Sequence, residues 1–323
     1  MSISQVQICQ YCTRPAVYYR RISNEFVCAQ HFIETIEHKI RRTVRKYMLF
    51  SLDEKVVVGV SGGKDSITVL YNVVQIQKKN PYAMPVEAIL IDEGIQGYRE
   101  ESIRITQKLC AEWEIPLHIV RFDAEFGKQI DDLIPRLKDE KVNPCNICGT
   151  VRRHLLNEWA VKLKADKLVI GHNLDDQVET FLQNILRNDI KQMQQHPPSK
   201  NPEDPLGCFI PRVKPLMNIP ENEITLYCYY KGFPIQSIPC PYVQDFYILR
   251  RQVQKFLNDL EYHSPEIKYN LLVLNERLIE IISHFSLISK SEVSAKKCII
   301  CGGTTGEKRE LCLYCEFKKK FST

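Results

Sequence analysis

Between Lys55 and Gly171, short aliphatic runs alternate with longer segments that have helical spacing. The runs are rich in β-branched residues, which is typical of parallel strands buried on both faces. The predicted strands cover residues 56–60, 86–92, 117–122 and 167–171, and the predicted helices between them cover 66–78, 100–113 and 151–164. This alternation predicts an α/β fold with a doubly wound, mostly parallel sheet whose ligand binds at the carboxyl ends of the strands.

Composition narrows the class of protein further. The chain is 44% hydrophobic and 26% charged, as in ordinary globular proteins, and its apolar runs are far shorter than the roughly 20 residues that span a bilayer. Residues 1–10 show no signal-peptide pattern, so we expect a cytosolic protein without a membrane segment.

The net charge of +5 lies within residues 1–50, while the other residues balance at 36 basic and 36 acidic side chains. A basic appendage on a neutral body favours a polyanionic partner.

Ten of the thirteen cysteines fall into three groups. The first is Cys9-x2-Cys12 followed by Cys28-x2-His31, and the last is Cys298-x2-Cys301 followed by Cys312-x2-Cys315. Paired knuckles at these spacings predict a closed, structural zinc site at each end of the chain.

A basic helix is predicted at 32–47, next to the first knuckle. Ile33, Ile36, Ile40 and Val44 have helical spacing, and Arg41, Arg42, Arg45 and Lys46 mostly lie on another face. This face is either a contact for RNA or simply a solvated surface.

The segment Ser61-Gly62-Gly63-Lys64-Asp65-Ser66 lies between the first strand and a helix. Small residues at a helix N-terminus let backbone N–H groups bind phosphate, and Lys64 adds charge. It is not a Walker loop, because Val58 stands where that motif has glycine. It resembles the SGGxDS loop of the PP-loop ATP pyrophosphatases. That resemblance implies pyrophosphate binding by Ser61, Gly62, Gly63, Lys64 and Ser66, with Asp65 as the Mg²⁺ partner.

A second motif, Gly171-His172-Asn173-Leu174-Asp175-Asp176, follows the fourth predicted strand. It therefore belongs at the same sheet edge as the nucleotide loop. The two aspartates could simply cap the helix that they begin. The string also resembles the GHNxDD motif of PP-loop thiolation enzymes, which implies an acid, base or metal role for Asp176.

The middle cysteines are Cys145 and Cys148 in a PCxxCG string and Cys240 in a CPY string. Three thiolates leave one metal coordination position free, which suits a reactive cluster better than a structural ion. The alternative is a redox pair of Cys145 and Cys148 that passes a persulfide or disulfide.

All these motifs, in this order, resemble the cytosolic tRNA 2-thiolation enzymes of the TtuA and NcsA type, and the resemblance covers nearly the whole chain. It implies ATP-dependent replacement of a uridine C2 oxygen by sulfur, with a 4Fe-4S cluster held by Cys145, Cys148 and Cys240. It also implies that Asp92, Gly171 and His172 contribute to the ATP and Mg²⁺ site. The expected partners are tRNA, a ubiquitin-like thiocarboxylate sulfur carrier or free sulfide, and a second copy of the chain in a homodimer.

The resemblance favours the wobble uridine as the substrate. Residues 91–99 and 186–190 look closer to the wobble enzymes than to the T-loop enzymes. Arg152 stands where the T-loop relatives carry a catalytic lysine, and an arginine is a poor proton donor. T-loop thiolation, a PP-loop ligase that adenylates another tRNA base, and a non-catalytic zinc-ribbon RNA-binding protein are the alternatives.

The predicted organisation has four parts. These are an N-terminal zinc knuckle at 1–31, a basic connecting helix at 32–50, a PP-loop catalytic domain at 51–288 and a C-terminal zinc ribbon at 289–323. Further helices are predicted at 174–186, 222–230, 247–261 and 266–285, a loop at 196–205 and a linker at 289–297.

Overall fold

The computed structural model describes residues 6–195, 207–242, 248–288, 296–306 and 309–322. The strands are β1 (Tyr18–Arg20), β2 (Glu25–Val27), β3 (Val56–Val60), β4 (Glu87–Asp92), β5 (Leu117–Arg121), β6 (Lys167–Val169), β7 (Arg212–Val213), β8 (Lys296–Lys297) and β9 (Thr304–Thr305). The helices are α1 (Ala29–Lys46), α2 (Lys64–Gln77), α3 (Arg99–Glu112), α4 (Phe122–Phe126), α5 (Ile130–Asp139), α6 (Pro144–Lys162), α7 (Leu174–Leu186), α8 (Ile190–Gln195), α9 (Glu221–Lys231), α10 (Ile248–His263), α11 (Ile267–Ile288) and α12 (Leu313–Phe321). The predicted loop at 196–205 and most of the predicted linker at 289–297 lie outside the described residues.

Five strands form a parallel sheet in the order β5-β4-β3-β6-β7. Successive residues of β3 pack into different cores: Val56, Val58 and Val60 face α1, α2 and α9, whereas Val57 faces α5 and α6. Helices therefore cover both faces of the sheet, which explains why its strands are hydrophobic at consecutive positions. The α/β prediction is confirmed.

The order of the strands places a topological switch between β3 and β6. From β3 the chain crosses one face through α2 to β4, and it returns to β6 through α6 on the other face. Ligands in sheets of this kind bind in the crevice at such a switch, beyond the carboxyl ends of the strands. The Ser61–Ser66 loop and the motif that begins at Gly171 follow these two strands.

The start predicted for the helix at 151–164 is wrong. Helix α6 begins at Pro144, because the Asn143 side chain accepts a hydrogen bond from the Cys145 N–H and proline suits the first helical position. Cys145 and Cys148 therefore lie on the first turns of a helix and not on a loop before it. Helices α4 and α5 and strand β7 were also missed by the sequence pattern.

Both cysteine-rich ends pack on the central domain. Helix α1 lies against α9, where Lys39 Nζ is 2.8 Å from Glu223 Oε2 and the Tyr227 hydroxyl donates to Glu37. At the other end, Tyr314 stacks on His154 of α6 with ring centroids 3.7 Å apart. Among the described residues, no helix is long and apolar enough to cross a membrane.

Candidate active site

The nucleotide loop is held by hydroxyl contacts around Ser66. The Ser61 N–H and Oγ lie 3.1 and 3.2 Å from Ser66 Oγ, and that hydroxyl donates to the Gly63 carbonyl at 2.9 Å. Gly63 is the residue before α2, and no side chain caps the helix there. The free N–H groups of the first turn therefore remain available for an anion, as at phosphate-binding helix N-termini.

Gly62 has to be a glycine for two reasons. Its φ of +77° is in the left-handed region, and an added Cβ would lie 2.7 Å from Ser102 Cβ. The loop is thereby packed directly against the first turn of α3.

Lys64 and Asp65 form a charged pair at the start of α2. Lys64 Nζ lies 3.1 Å from Asp65 Oδ2 and 2.7 Å from Glu221 Oε1. Burial acts to lower the pKa of Lys64, but the two carboxylates raise it, so the ammonium stays charged. Burial raises the pKa of Asp65 while Lys64 opposes that shift. The Asp65 and Glu221 carboxylates thus bind the Lys64 ammonium, which is the group expected to bind anionic phosphates.

Gly171 brings the second motif against the nucleotide loop. A Cβ at this position would lie 3.0 Å from the Asp65 carbonyl carbon and 3.1 Å from the Ser66 nitrogen. Asn173 Nδ2 donates to Asp65 Oδ1 at 2.9 Å. The structure thus places the two motifs together, as predicted from their positions after β3 and β6.

The two aspartates of the second motif have structural partners. Asn173 and Asp176 form a capping box at the start of α7, and Asp176 Oδ1 also accepts from Arg250 at 2.7 Å. Buried Asp175 binds Lys268 and accepts the Glu221 N–H at 2.7 Å. The capping interpretation therefore holds for Asp176, whereas Asp175 binds Lys268 and the Glu221 N–H instead of capping the helix. An acid, base or metal role for Asp176 stays a prediction.

Cations cluster around His172, next to this motif. His172 itself is exposed to solvent. Desolvation lowers the pKa of His172 to about 4; Asp176 opposes the shift, and the cations Lys214, Arg250 and Arg152 add to it. Neutral His172 can therefore donate or accept a hydrogen bond beside several cations, which suits an anionic ligand.

Asp92 ends β4 at the same sheet edge. Its Oδ1 accepts a hydrogen bond from the Gly94 N–H at 2.9 Å and so closes the turn after the strand. A contribution of Asp92 to ATP or Mg²⁺ binding stays a prediction.

The three middle cysteines pack near one another from distant parts of the chain. Cys148 and Cys240 contact the same core cluster, and Cys145 Sγ lies 3.8 Å from the Tyr242 carbonyl oxygen. Burial raises the pKa of Cys148 to about 12 and also raises that of Cys240, and Cys145 adds to both shifts. As free thiols, Cys148 and Cys240 are therefore protonated.

The donor set fits an iron–sulfur cluster better than a single ion. Among the described residues, only the two terminal groups bring their ligand atoms within 4.8 Å of one another. A cluster of several irons is wider than one ion and needs more widely spaced thiolates, which the metal would deprotonate. Three cysteines, all partly buried, leave one position open to a substrate.

The terminal groups have the geometry of single-ion sites. Cys9 Sγ and Cys28 Sγ lie 3.3 and 3.4 Å from His31 Nδ1, and Cys12 and Cys28 are 3.7 Å apart. At the other end, Cys301 and Cys312 are 3.6 Å apart, with Cys298 and Cys315 in the same group. A tetrahedral zinc ion with bonds of about 2.3 Å to sulfur requires thiolates about 3.8 Å apart. Both groups therefore fit zinc.

Sequence reasoning missed three charged residues of this edge. Glu93 and Arg99 form a buried ion pair behind the nucleotide loop, and Lys214 follows β7 beside Gln177. Partial burial and Arg212 lower the pKa of Lys214 to about 8, against the effect of Asp176. The sequence offered one signal for Glu93 and Lys214, because each directly follows a strand and a charged residue at such a position lies at the carboxyl edge of the sheet.

Comparison with known proteins adds a family and named relatives. Residues 33–236 match the family model of the PP-loop domain. The tRNA 2-thiolation protein NcsA of Haloferax volcanii is 33% identical over 307 residues, which are 92% of this chain and 94% of that protein. The tRNA-5-methyluridine(54) 2-sulfurtransferase of Pyrococcus horikoshii is 32% identical over 312 residues, 96% of this chain and 93% of that protein.

A solved structure matches over almost the whole fold. It is the U34-tRNA thiolase NcsA from Methanococcus maripaludis with its [4Fe-4S] cluster. The TM-score is 0.81 at 31% sequence identity, and the match covers 98% of this chain and 97% of that chain.

Proposed function

The chain belongs to the PP-loop family of tRNA 2-thiolation proteins and is a tRNA sulfurtransferase, and from this premise we propose that it converts the wobble uridine to 2-thiouridine at the expense of ATP. The observation that carries the proposal is the proximity of three elements. Asn173 of the second motif binds Asp65 of the nucleotide loop, and Gln236, four residues before Cys240, donates its backbone N–H to the Gly62 carbonyl of that loop. Cys240 in turn packs on the same core cluster as Cys148. Adenylation and sulfur transfer need such neighbouring sites, because both reactions occur at the same uridine C2.

Overall identity does not separate the wobble position from the T-loop, because relatives of both kinds are 31–32% identical to this chain, so the preference for the wobble position rests on two other observations. The solved relative that matches nearly the whole chain is named a U34-tRNA thiolase. Arg152 is the second feature, because a guanidinium stays protonated and is suited to binding phosphate. Its Nη1 lies 3.6 Å from Glu93 Oε1, and nearly half of the side chain is exposed.

ATP activates the uridine in the first step of the proposal. The C2 oxygen attacks the α-phosphorus of ATP, the bond between that phosphorus and the bridging oxygen breaks, and pyrophosphate leaves with the electron pair. Lys64 and the N–H groups of the loop stabilise the charge on the leaving phosphates. In this proposal, Lys64 exchanges its Glu221 contact for phosphate, and the carboxylates of Asp65 and Asp92 hold Mg²⁺.

Sulfur replaces the activated oxygen in the second step. An adenylated oxygen is a good leaving group, so sulfur adds to C2 and AMP is expelled. When bound by Cys145, Cys148 and Cys240, a 4Fe-4S cluster supplies an open coordination position for sulfide. The uridine must leave its stack to reach this edge, as bases modified by enzymes generally do.

The remaining parts of the chain belong to substrate recruitment in this proposal. Three segments flank the catalytic domain at 51–288 and hold tRNA through its phosphates. They are the zinc knuckle at 1–31, the connecting helix at 32–50 and the ribbon at 289–323. Metal analysis of the purified protein should find two zinc ions per chain. A thiocarboxylate carrier or free sulfide delivers the sulfur, and the active form is a cytoplasmic homodimer.

Two tRNA transcripts test the position of the reaction. In one, cytidine replaces only the wobble uridine; in the other, cytidine replaces only the T-loop uridine. The reconstituted protein is incubated anaerobically with each transcript, ATP, Mg²⁺ and sulfide. We expect 2-thiouridine in the second transcript and not in the first, and the reverse pattern would reassign the enzyme to the T-loop.

A Cys240→Ala variant separates thiolation from the ligase alternative. The variant should bind ATP as the wild type does, because Cys240 packs on the core cluster beneath α5 and α6, and it should form no 2-thiouridine. A PP-loop ligase would keep its activity, and a non-catalytic RNA-binding protein would turn over no ATP before or after the substitution.

A further inference from the structure

Residues 93–102 run from the end of β4 into the first turn of α3. We call them the bridge segment, because they contact the nucleotide loop, the cysteine-bearing helix α6 and the segment that leads to Cys240. None of these residues has a role in the two proposed reaction steps.

The contact with the nucleotide loop is direct. Arg99 Nη1 donates to the Ser61 carbonyl oxygen at 3.1 Å and lies 3.2 Å from Ser102 Oγ. Ser102 fills the space that the missing side chain of Gly62 leaves open. The position of the loop therefore depends on the position of Arg99.

The contact with α6 passes through a buried carboxylate. Glu93 and Arg99 are only 1% and 3% exposed, and Arg99 donates from both Nε and Nη2 to Glu93, the latter at 2.6 Å from Oε1. Arg152, one turn after Cys148, approaches the same Oε1 at 3.6 Å. Glu93 thus joins the Arg99 guanidinium, which binds the nucleotide loop, to the Arg152 guanidinium on the cysteine-bearing helix.

The contact with the segment that leads to Cys240 pairs side chains with backbone groups. Gln236 donates its backbone N–H to the Gly62 carbonyl at 3.0 Å and its side-chain amide to the Tyr98 carbonyl at 2.7 Å. Glu101 Oε2 accepts the N–H groups of Ser237 and Ile238 at 3.2 and 3.4 Å. The bridge segment therefore also fixes the position of the chain that leads to Cys240.

We propose that the buried Glu93–Arg99 pair is a positioning element that fixes the nucleotide loop relative to the three middle cysteines, so that adenylation and sulfur transfer stay coupled at one uridine. The inference rests on the proposed function only where it identifies the coupled reactions as adenylation and sulfur transfer. Arginine is required because a planar guanidinium can bind the carboxylate with two nitrogens and still donate from its third to the Ser61 carbonyl, which an ammonium cannot do.

The test compares Arg99→Lys and Glu93→Gln with Glu223→Gln as the matched control. Glu223 is also 3% exposed and is paired with Lys39 at 2.8 Å, but it lies between α9 and α1. The first readout needs neither cluster nor tRNA. The alkylation rates of Cys145, Cys148 and Cys240 are measured by peptide mass spectrometry in the full chain without its cluster but with both terminal zinc ions retained, with and without a non-hydrolysable ATP analogue and Mg²⁺.

In the wild type and in Glu223→Gln, we expect the nucleotide to slow alkylation of Cys240 by about threefold or more, as coupling between neighbouring sites requires. In Arg99→Lys and Glu93→Gln, the analogue should still bind, but the alkylation rate should no longer respond to it. The second readout is the ratio of pyrophosphate released to 2-thiouridine formed, which should rise about tenfold or more in these two variants, because a small misplacement of reacting groups is costly.

A wild-type response to nucleotide in Arg99→Lys would overturn the inference, and so would an equal loss in Glu223→Gln, which would indicate general loosening of the fold. The failure of the proposed function looks different. In that case the wild type forms no 2-thiouridine, yet the alkylation response is present in the wild type and absent in Arg99→Lys, which supports the positioning role.

Discussion

Asn173 donates a hydrogen bond of 2.9 Å from its side-chain amide to Asp65 Oδ1, and so joins two motifs that are 108 residues apart in the chain. The same side chain accepts the Asp176 N–H at 3.0 Å and caps α7. A single residue therefore begins a helix and orients the carboxylate proposed for Mg²⁺.

The substitution Asn173→Ala should separate these two roles. Loss of the cap should lower the free energy of unfolding by about 1 kcal/mol. Loss of the amide should also weaken binding of ATP with Mg²⁺ by about tenfold, since a hydrogen bond to a charged group is worth about 1.5–3 kcal/mol. The control is Asn143→Ala, which removes the cap of α6 and should cost similar stability without changing ATP affinity. Equal ATP affinity in both variants, measured by calorimetry, would remove Asn173 from the nucleotide site.

Gly171 is predicted to tolerate no side chain. In Gly171→Ala the added Cβ would meet backbone atoms of Asp65 and Ser66 at 3.0–3.1 Å, and these cannot move without displacing the start of α2. We expect a loss of about 1–3 kcal/mol in unfolding free energy and ATP binding at least about tenfold weaker. Gly306→Ala, where no atom lies within 4 Å of the added Cβ, is the matched control and should change neither quantity. Normal ATP binding in Gly171→Ala would show that the two motifs need not touch.

Lys214 should give the protein a pH-dependent stability. Its pKa of about 8 in the folded protein is below the value of about 10.4 in an unfolded chain, so the unfolded chain binds more protons between these pH values. The free energy of unfolding should therefore rise from pH 8 to pH 10 by about 1–2 kcal/mol more in the wild type than in Lys214→Met. Urea unfolding at the two pH values measures this difference, with Lys108→Met on the exposed face of α3 as the control. The same slope in the wild type and in Lys214→Met would contradict the lowered pKa.

The basic face of α1 should contribute to tRNA binding through phosphates. Arg42 and Arg45 are exposed, whereas Lys39 is paired with Glu223 inside the fold. Neutralising both arginines to glutamine should reduce the slope of log affinity against log salt by about 1–2. Lys78 and Lys79 are exposed at the other end of α2, away from the site, and their double substitution should leave the slope unchanged. If the slope of log affinity against log salt were equal in the two double variants, the basic face of α1 would be a solvated surface that does not bind tRNA.

The alternation of strands and helices was enough to predict the sheet and the edge that carries the site. The β3 and α7 boundaries agree with the structure residue for residue, because four of the five residues of Val56–Val60 are valines and Asn173 is a strong cap. The resemblance to tRNA 2-thiolation enzymes is confirmed by relatives at 32–33% identity over more than nine-tenths of the chain.

The parts that the sequence did not predict depend on contacts between distant residues. Strand β7 has two residues and pairs with β6 through the N–H groups of Leu168 and Ile170, which donate to the Pro211 and Val213 carbonyls. The early start of α6 depends on a cap by Asn143 that a strand–helix pattern does not weigh. Glu93 and Arg99 look like ordinary surface charges in a sequence, and only the fold makes them a buried pair behind the nucleotide loop.

The central claim is tested most directly by nucleoside mass spectrometry of tRNA after anaerobic incubation with the iron-reconstituted protein, ATP, Mg²⁺ and sulfide. The account predicts 2-thiouridine that forms only when ATP is present and that maps to the anticodon fragment after nuclease digestion. A protein with ATP bound and a cluster assembled that still forms no 2-thiouridine under these conditions, or forms it without ATP, would contradict it.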